Sequence, residues 1–436
     1  MGGAGWLPLV IAFVIALVTA FSYLELATKY PKAAGAALYT HKAFGVHFFT
    51  FLVAFAVLCS GITSATTSAR TFGTNLLVGI SAEENAMNAM WIALGFLALI
   101  MLVNLRGVSE SLWLNVVLTV IELTALLLVI GVGLWATLNG NADFSRAVVF
   151  ETPEDKSIFL AITAATALGF FAMVGFEDSI NMVEEARNPR DFPKVMITGL
   201  SITGVVYVVV SIICVAVVPI GILGQSDTPL LDVVAAGAPN APIDDVFPFL
   251  TMIAVANTTL LNMLMASRLI YGMAQQRVLP AVLGKVLPGR RTPWVAILFT
   301  TLLAAGLIVS VTLALPEGVV GALGGTTSLL LLTVFAVVNI TVLVLRKKDP
   351  NGMGDGTHFR STSWLPWAGA ALCLFFVGPW ARMDALIQYN IAGALIGIGI
   401  VLWFVQFMYN RSRYGRSTRF RQPDEIEDDY HSPRPL

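Results

Sequence analysis

Apolar residues in this chain gather into runs of about 20, the length at which a helix crosses the hydrocarbon core of a bilayer. Backbone groups in lipid must be satisfied within their own segment, so such runs read as helices. Eleven can be drawn, at 6–28, 45–68, 88–105, 112–137, 158–183, 195–220, 246–274, 292–315, 319–345, 364–382 and 386–409. The run at 364–382 is short and contains Pro366 and Pro379. The pattern predicts an all-α integral membrane protein with a transmembrane helical body over 1–410 and a disordered tail over 411–436.

Polar residues inside these runs are costly, so each needs a reason. In 158–183, Gly169, Gly175 and the acidic pair Glu177–Asp178 fall within one span. A charge at mid-membrane costs about 2.5–3.5 kcal/mol on insertion scales. Irregular backbone at that depth persists only beside protein or a water-filled cavity. One reading is a broken helix whose released N–H and C=O groups bind a solute. The other is close helix packing at the glycines, with the acids near the membrane surface. Glu122 lies near the centre of 112–137, with Thr119 and Asn115 three and seven residues before it. All three share one helix face, which is expected to point into the bundle. Glu122 is therefore a candidate to bind a proton or meet a cation during a transport cycle. A neutral Glu122 hydrogen-bonded to a neighbouring helix is the equal alternative. Ser60, Ser64 and Thr67 form a second stripe, and Thr251, Thr258 and Asn262 a third. Both, with Gly324–Ser328, read as glue between helices. Glu25 and Arg268 are expected to snorkel from span ends.

Composition agrees with the pattern. Of 436 residues, 57% are hydrophobic and 12% charged; a soluble domain carries roughly twice that charged share. A net charge of −1 offers nothing to nucleic acid. Cys59, Cys214 and Cys373 sit singly in apolar runs, and the four histidines form no ligand cluster. With no phosphate loop and no HExxH, neither ATP hydrolysis nor zinc chemistry is indicated, and no cofactor is expected. No basic flank precedes the first run, so it reads as a span rather than a cleaved leader.

Charge sets the orientation. When connections are assigned alternately, one side collects Lys29, Lys32, Lys42, Arg106, Arg187, Arg190, Lys194, Arg277, Lys285, Arg290, Arg291, Arg346, Lys347, Lys348, Arg360 and the tail arginines. The other holds Arg70, Arg146, Lys156 and Arg382 amid acidic residues. The basic side, with the C-terminus, is expected to be cytoplasmic in a multi-pass plasma-membrane protein. An odd span count then places Met1 outside. Either one helix is missing ahead of Met1, or the protein has eleven spans. The basic stretch 276–291 suits a short helix on the inner membrane surface.

Three segments resemble the amino acid–polyamine–organocation permease superfamily. GFFAMVGFEDSINMVEEARNPRDFPK (169–194) is similar to its sixth span, and SRLIYGMAQQRVLPAVLGKVLPGRRTP (267–293) to its eighth span and following loop. AFSYLELATKYPKAAGAALYTHKAFG (20–45) is similar to the end of its second, and NITVLVLRKKDP (339–350) adds a weaker match to its tenth. The resemblance implies a leucine-transporter-like bundle of inverted repeats with twelve helices, the first and sixth broken. It implies a secondary carrier of amino acids or related small organic ions, working by alternating access with proton symport or exchange. A non-transporting sensor or inactive truncated permease on the same scaffold is the competing reading.

By position, the resemblance makes Phe171 the aromatic gate. It makes the backbone around Phe171, Ala172, Met173 and Val174 the receptor for an amino group, and Gly175 the unwound turn before Phe176. Glu177 matches a site where some cationic amino acid carriers hold an acid facing the substrate. Glu122 stands where many members carry Lys, a departure that puts the usual coupling scheme in doubt.

Overall fold

The computed structural model describes the chain except residues 1, 32–34, 107–111, 151–156, 181–190, 227, 240–245, 291, 352, 354–357, 384, 415–417 and 419–436. The expectations placed on Arg187, Arg190 and the acidic tail lie outside the described residues. The described residues form helices and short 3₁₀ turns, with no strands among them: α1 (Trp6–Lys29), α2 (Gly35–Phe44), α3 (His47–Gly79), α4 (Ala86–Arg106), α5 (Leu112–Leu138), α6 (Ile158–Gly169), α7 (Phe176–Ile180), α8 (Phe192–Val217), α9 (Ile220–Leu223), α10 (Pro229–Gly237), α11 (Phe247–Gln275), α12 (Trp294–Ala314), α13 (Val319–Lys348), α14 (Leu365–Val377) and α15 (Leu386–Tyr414). Among the described residues nine helices are long and apolar enough to cross a membrane, and two shorter apolar segments run over Ile158–Met173 and Leu365–Val377. Each of the eleven apolar runs therefore contains helix, and the run at 158–183 is broken.

Local chemistry explains many of the helix starts. Proline occupies the first turn of α8, α11 and α14, where its missing N–H costs nothing. Ser157 caps α6 by accepting from the Leu160 N–H at 3.2 Å. Inside the spans, hydroxyls find their partners one turn back. Thr63, Thr66 and Thr67 donate to the carbonyls of Cys59, Ile62 and Thr63 at 3.0, 2.6 and 2.8 Å. That bonding lets a hydroxyl stripe sit in an apolar interior.

The broken segment packs between α1 and α13, while α3 lies along α11 and also against α13. A main core joins these elements, and a smaller one gathers α5, α8, α10 and the start of α11. Polar pins hold the main core in register. Asn339 of α13 accepts from the Ser22 hydroxyl at 2.7 Å and donates to Thr19 at 3.1 Å and to the Phe335 carbonyl at 2.8 Å. All of these side chains are fully buried, so each polar atom must find its bond inside the protein. Exposed tryptophans mark both ends of the bundle. Trp364 and Trp367 lie at the basic end, and Trp91, Trp135 and Trp380 at the opposite end, as expected of side chains that settle at the two membrane interfaces.

Four details differ from the sequence reading. Helix α3 continues to Gly79, so Arg70 is a buried residue of a span rather than a loop cation. Arg382 does lie in a connection but is 3% exposed. Glu25 does not snorkel: its side chain is fully buried against Arg346. Within 276–291 the regular structure is one short 3₁₀ turn, Ala281–Gly284. Val278, Leu279 and Leu283 there turn into the core, because apolar burial outweighs lying flat on a surface.

Candidate functional site

Helix α6 stops at Gly169 and tightens into a 3₁₀ turn over Phe170–Met173. Val174 is extended at φ −73° and ψ 142°, and Gly175 has φ +122°. That φ is rarely open to a residue with a Cβ. Helix α7 restarts at Phe176. A helical ladder cannot cross Val174–Gly175, so carbonyls just before it and N–H groups just after it are released from intrahelical bonding. Glu177 answers part of this: its carboxylate accepts from the Gly175 N–H at 2.9 Å, while its side chain stays buried.

The break opens on a narrow cleft of about 20 Å³ lined by Val174 and Glu177, by Val57, Leu58, Ser60 and Gly61 of α3, and by Asn262, Met265, Ala266 and Leu269 of α11. That volume suits a single ordered water, so side chains must move to admit an organic solute. Asn262 donates to Ser64 at 3.4 Å and to the Thr258 carbonyl at 3.0 Å. The cleft is thus mainly apolar, with a carboxylate, an amide and a hydroxyl converging on it.

The expected site residues divide by direction. Val174 and Glu177 face the cleft. Phe171 turns toward α13, where a Cβ on Gly324 would come 3.3 Å from its ring. Met173 is core. Phe176 belongs to an aromatic cluster, with Tyr23 at 6.0 Å and Phe335 at 5.2 Å between ring centroids. Gly175 is exposed and Ala172 half-buried. The polar stripes do join helices, Asn262 of α11 to Ser64 of α3 and Thr327 of α13 to Thr63 of α3 at 2.7 Å, and Ser60 and Asn262 also line the cleft.

Glu122 is not among the lining residues. It is half-buried on α5. Thr119 on the same face is exposed, as are Val116, Val120 and Leu123. The stripe therefore runs along an edge of the bundle and not into its centre. The side chain of Asn115 lies outside the described residues.

A multi-helix membrane bundle with one helix unwound partway, its broken ends beside a small and mainly apolar cleft, is the architecture of a secondary transporter. The match to known proteins gives the family: the model described as amino acid permease matches residues 1–405, and the chain belongs to that family. It is 26% identical to the branched-chain amino acid permease BcaP of Bacillus subtilis, over 85% of this chain and 80% of that one. It is 24% identical to the methylthioribose transporter of the same organism, over 92% and 86%. A solved structure of the Eremococcus coleocola manganese transporter shares the fold, with a TM-score of 0.57 at 14% identity over 93% of this chain and 88% of that one.

Proposed function

We propose that this permease carries amino acids or closely related small organic ions across the plasma membrane by alternating access. The basic end of the bundle and the C-terminus face the cytoplasm, and movement is coupled to protons as symport or exchange. The observation that carries the reading is the juxtaposition of the unwound Val174–Gly175 turn with the buried carboxylate of Glu177, both on one cleft. Carbonyls released at the break receive a protonated amine, and the carboxylate of Glu177 adds charge to that contact. The apolar wall from Leu58, Met265 and Leu269 takes the carbon skeleton of the substrate. Relatives with names as different as a branched-chain amino acid permease and a methylthioribose transporter leave the side-chain preference to be measured.

Uptake of a radiolabelled amino acid panel into proteoliposomes tests this directly, with Glu177→Gln alongside. Glutamine can still accept from the Gly175 N–H, so the turn survives and only the charge is removed. A lost charge-assisted contact is worth about 1.5–3 kcal/mol, so uptake of cationic substrates is expected to fall about 10- to 100-fold. Neutral substrates fall less. No uptake of any member by the wild-type protein overturns the substrate class. Unchanged uptake by the variant removes Glu177 from the site.

A further inference from the structure

Arg382 lies in the connection between α14 and α15, yet its guanidinium is turned wholly inward. Its Nε donates to the Phe376 carbonyl at 2.8 Å. Nη1 donates to the Gly325 carbonyl at 2.9 Å and to Gln388 Oε1 at 2.6 Å. Nη2 donates to the Ser328 hydroxyl at 3.0 Å, and Ser328 in turn donates to the carbonyl of Ala167 on α6. One side chain thus ties the α14–α15 connection to two points of α13 and, through Ser328, to the last turn of α6.

Both end points abut the break. Ala167 is two residues before the end of α6, where a helix runs short of N–H donors for its carbonyls. Ser328 supplies a donor there from outside the helix. Gly325 adjoins Gly324, the residue against which the Phe171 ring rests. The fit admits little slack, because a Cβ on Gly325 would stand 2.1 Å from Gln388 Nε2. A flexible loop residue would be a poor choice for this task. A planar guanidinium with donors in a fixed fork suits it, since several acceptors are fixed at once.

We propose that Arg382 is a positioning residue for the substrate-binding break. It holds the carbonyls of Gly325 and Ala167 in place, the latter through Ser328, and so sets where Phe171 and the 3₁₀ turn lie without touching the substrate. The inference rests on the reading that this break receives the substrate. It also gives α14 and α15 a part in the site, although neither lines the cleft.

The test is amide hydrogen exchange on the purified full-length protein in nanodiscs without ligand, comparing wild type, Arg382→Lys, Ser328→Ala and the double variant. Lysine retains the charge but cannot span the same acceptors, and alanine removes only the relay, so both variants are mild enough to fold. Each single variant is expected to exchange about five- to tenfold faster over 167–176, the equivalent of one lost hydrogen bond. The double variant is expected to match Arg382→Lys, and the remaining helices to match wild type. Exchange at wild-type rates over 167–176, or a change confined to 377–389, overturns the proposal, as does a double variant whose effect is the product of the singles. Uptake of L-leucine and L-arginine by Gly175→Ala, measured in parallel, separates the two readings. Normal uptake there, with the exchange result intact, sinks the binding assignment and leaves the mechanical link standing.

Discussion

Arg346, in the last turn of α13, grips Glu25 of α1 with two parallel bonds, Nε to Oε1 at 2.8 Å and Nη2 to Oε2 at 2.5 Å. Ser361 closes the arrangement: its N–H and hydroxyl donate to Glu25 Oε2 at 2.9 and 2.8 Å, and its carbonyl accepts from Arg346 at 2.7 Å. The Glu25 side chain is fully buried. Two helices and the segment before α14 are thus clamped at the basic end of the bundle, where a carrier must part its helices to open that way. A buried pair is strongest as a unit, since each ion's lost hydration is offset by its partner.

Breaking one half of the clamp is therefore expected to harm the protein more than replacing both halves. Glu25→Ala leaves a desolvated guanidinium and should destabilise by about 3–5 kcal/mol. The double variant Glu25→Met/Arg346→Met should recover most of that loss. Thermal unfolding in detergent, followed by size-exclusion chromatography, gives the order. A double variant no better than the single would show that the pair contributes little as a pair.

Two glycines of α8 should respond to alanine with opposite signs. A Cβ on Gly204 would stand 2.4 Å from the Phe13 ring of α1, and forcing such a contact costs about 1–3 kcal/mol. Gly199 meets nothing within 4 Å, so alanine there gains helix propensity of up to about 1 kcal/mol. Gly204→Ala is expected to lower the unfolding temperature, and Gly199→Ala to leave it unchanged or raise it. If both variants move together, α1 and α8 are not in van der Waals contact at Phe13.

Gly175 separates backbone strain from packing. Its φ of +122° disfavours any side chain, yet no atom lies within 4 Å of the position a Cβ would take. Gly175→Ala therefore acts through conformation alone, at about 1–3 kcal/mol. The turn is expected to relax toward helix, with uptake lost while expression and monodispersity persist. Wild-type uptake by this variant would mean that the turn is not used in the cycle.

Much of this was legible in the residues, and the rest was hidden for physical reasons. Run length announced the nine long apolar helices found among the described residues, because bilayer thickness fixes it. Gly169, Gly175 and the acid at 177 marked the break without fixing which side chains would face the cleft, since a 3₁₀ turn followed by an extended residue rotates the chain unpredictably. So Val174 and Glu177 face the cleft, while Met173 and Phe176 turn to the core. Ser60 and Asn262 were visible as stripes, but a stripe on one helix does not name its partner. Arg382 was hidden most completely: a lone cation in a polar connection looks like any loop residue until its acceptors on Gly325 and Phe376 are seen.

Glu122 carries the last prediction. It stands on the α5 edge of the bundle and is not among the residues that line the cleft. A carboxyl half-buried among exposed apolar neighbours, Val120 and Leu123, is costly to keep charged. It is therefore the residue on which a coupling proton is tested first. If that proton drives uptake, Glu122→Gln mimics the protonated form permanently. Uptake by the variant should then lose its dependence on external pH while exchange of substrate across the membrane continues. A pH profile of Glu122→Gln that superimposes on wild type would assign the coupling to another group, with Glu177, the carboxylate that lines the cleft, the next to be tested.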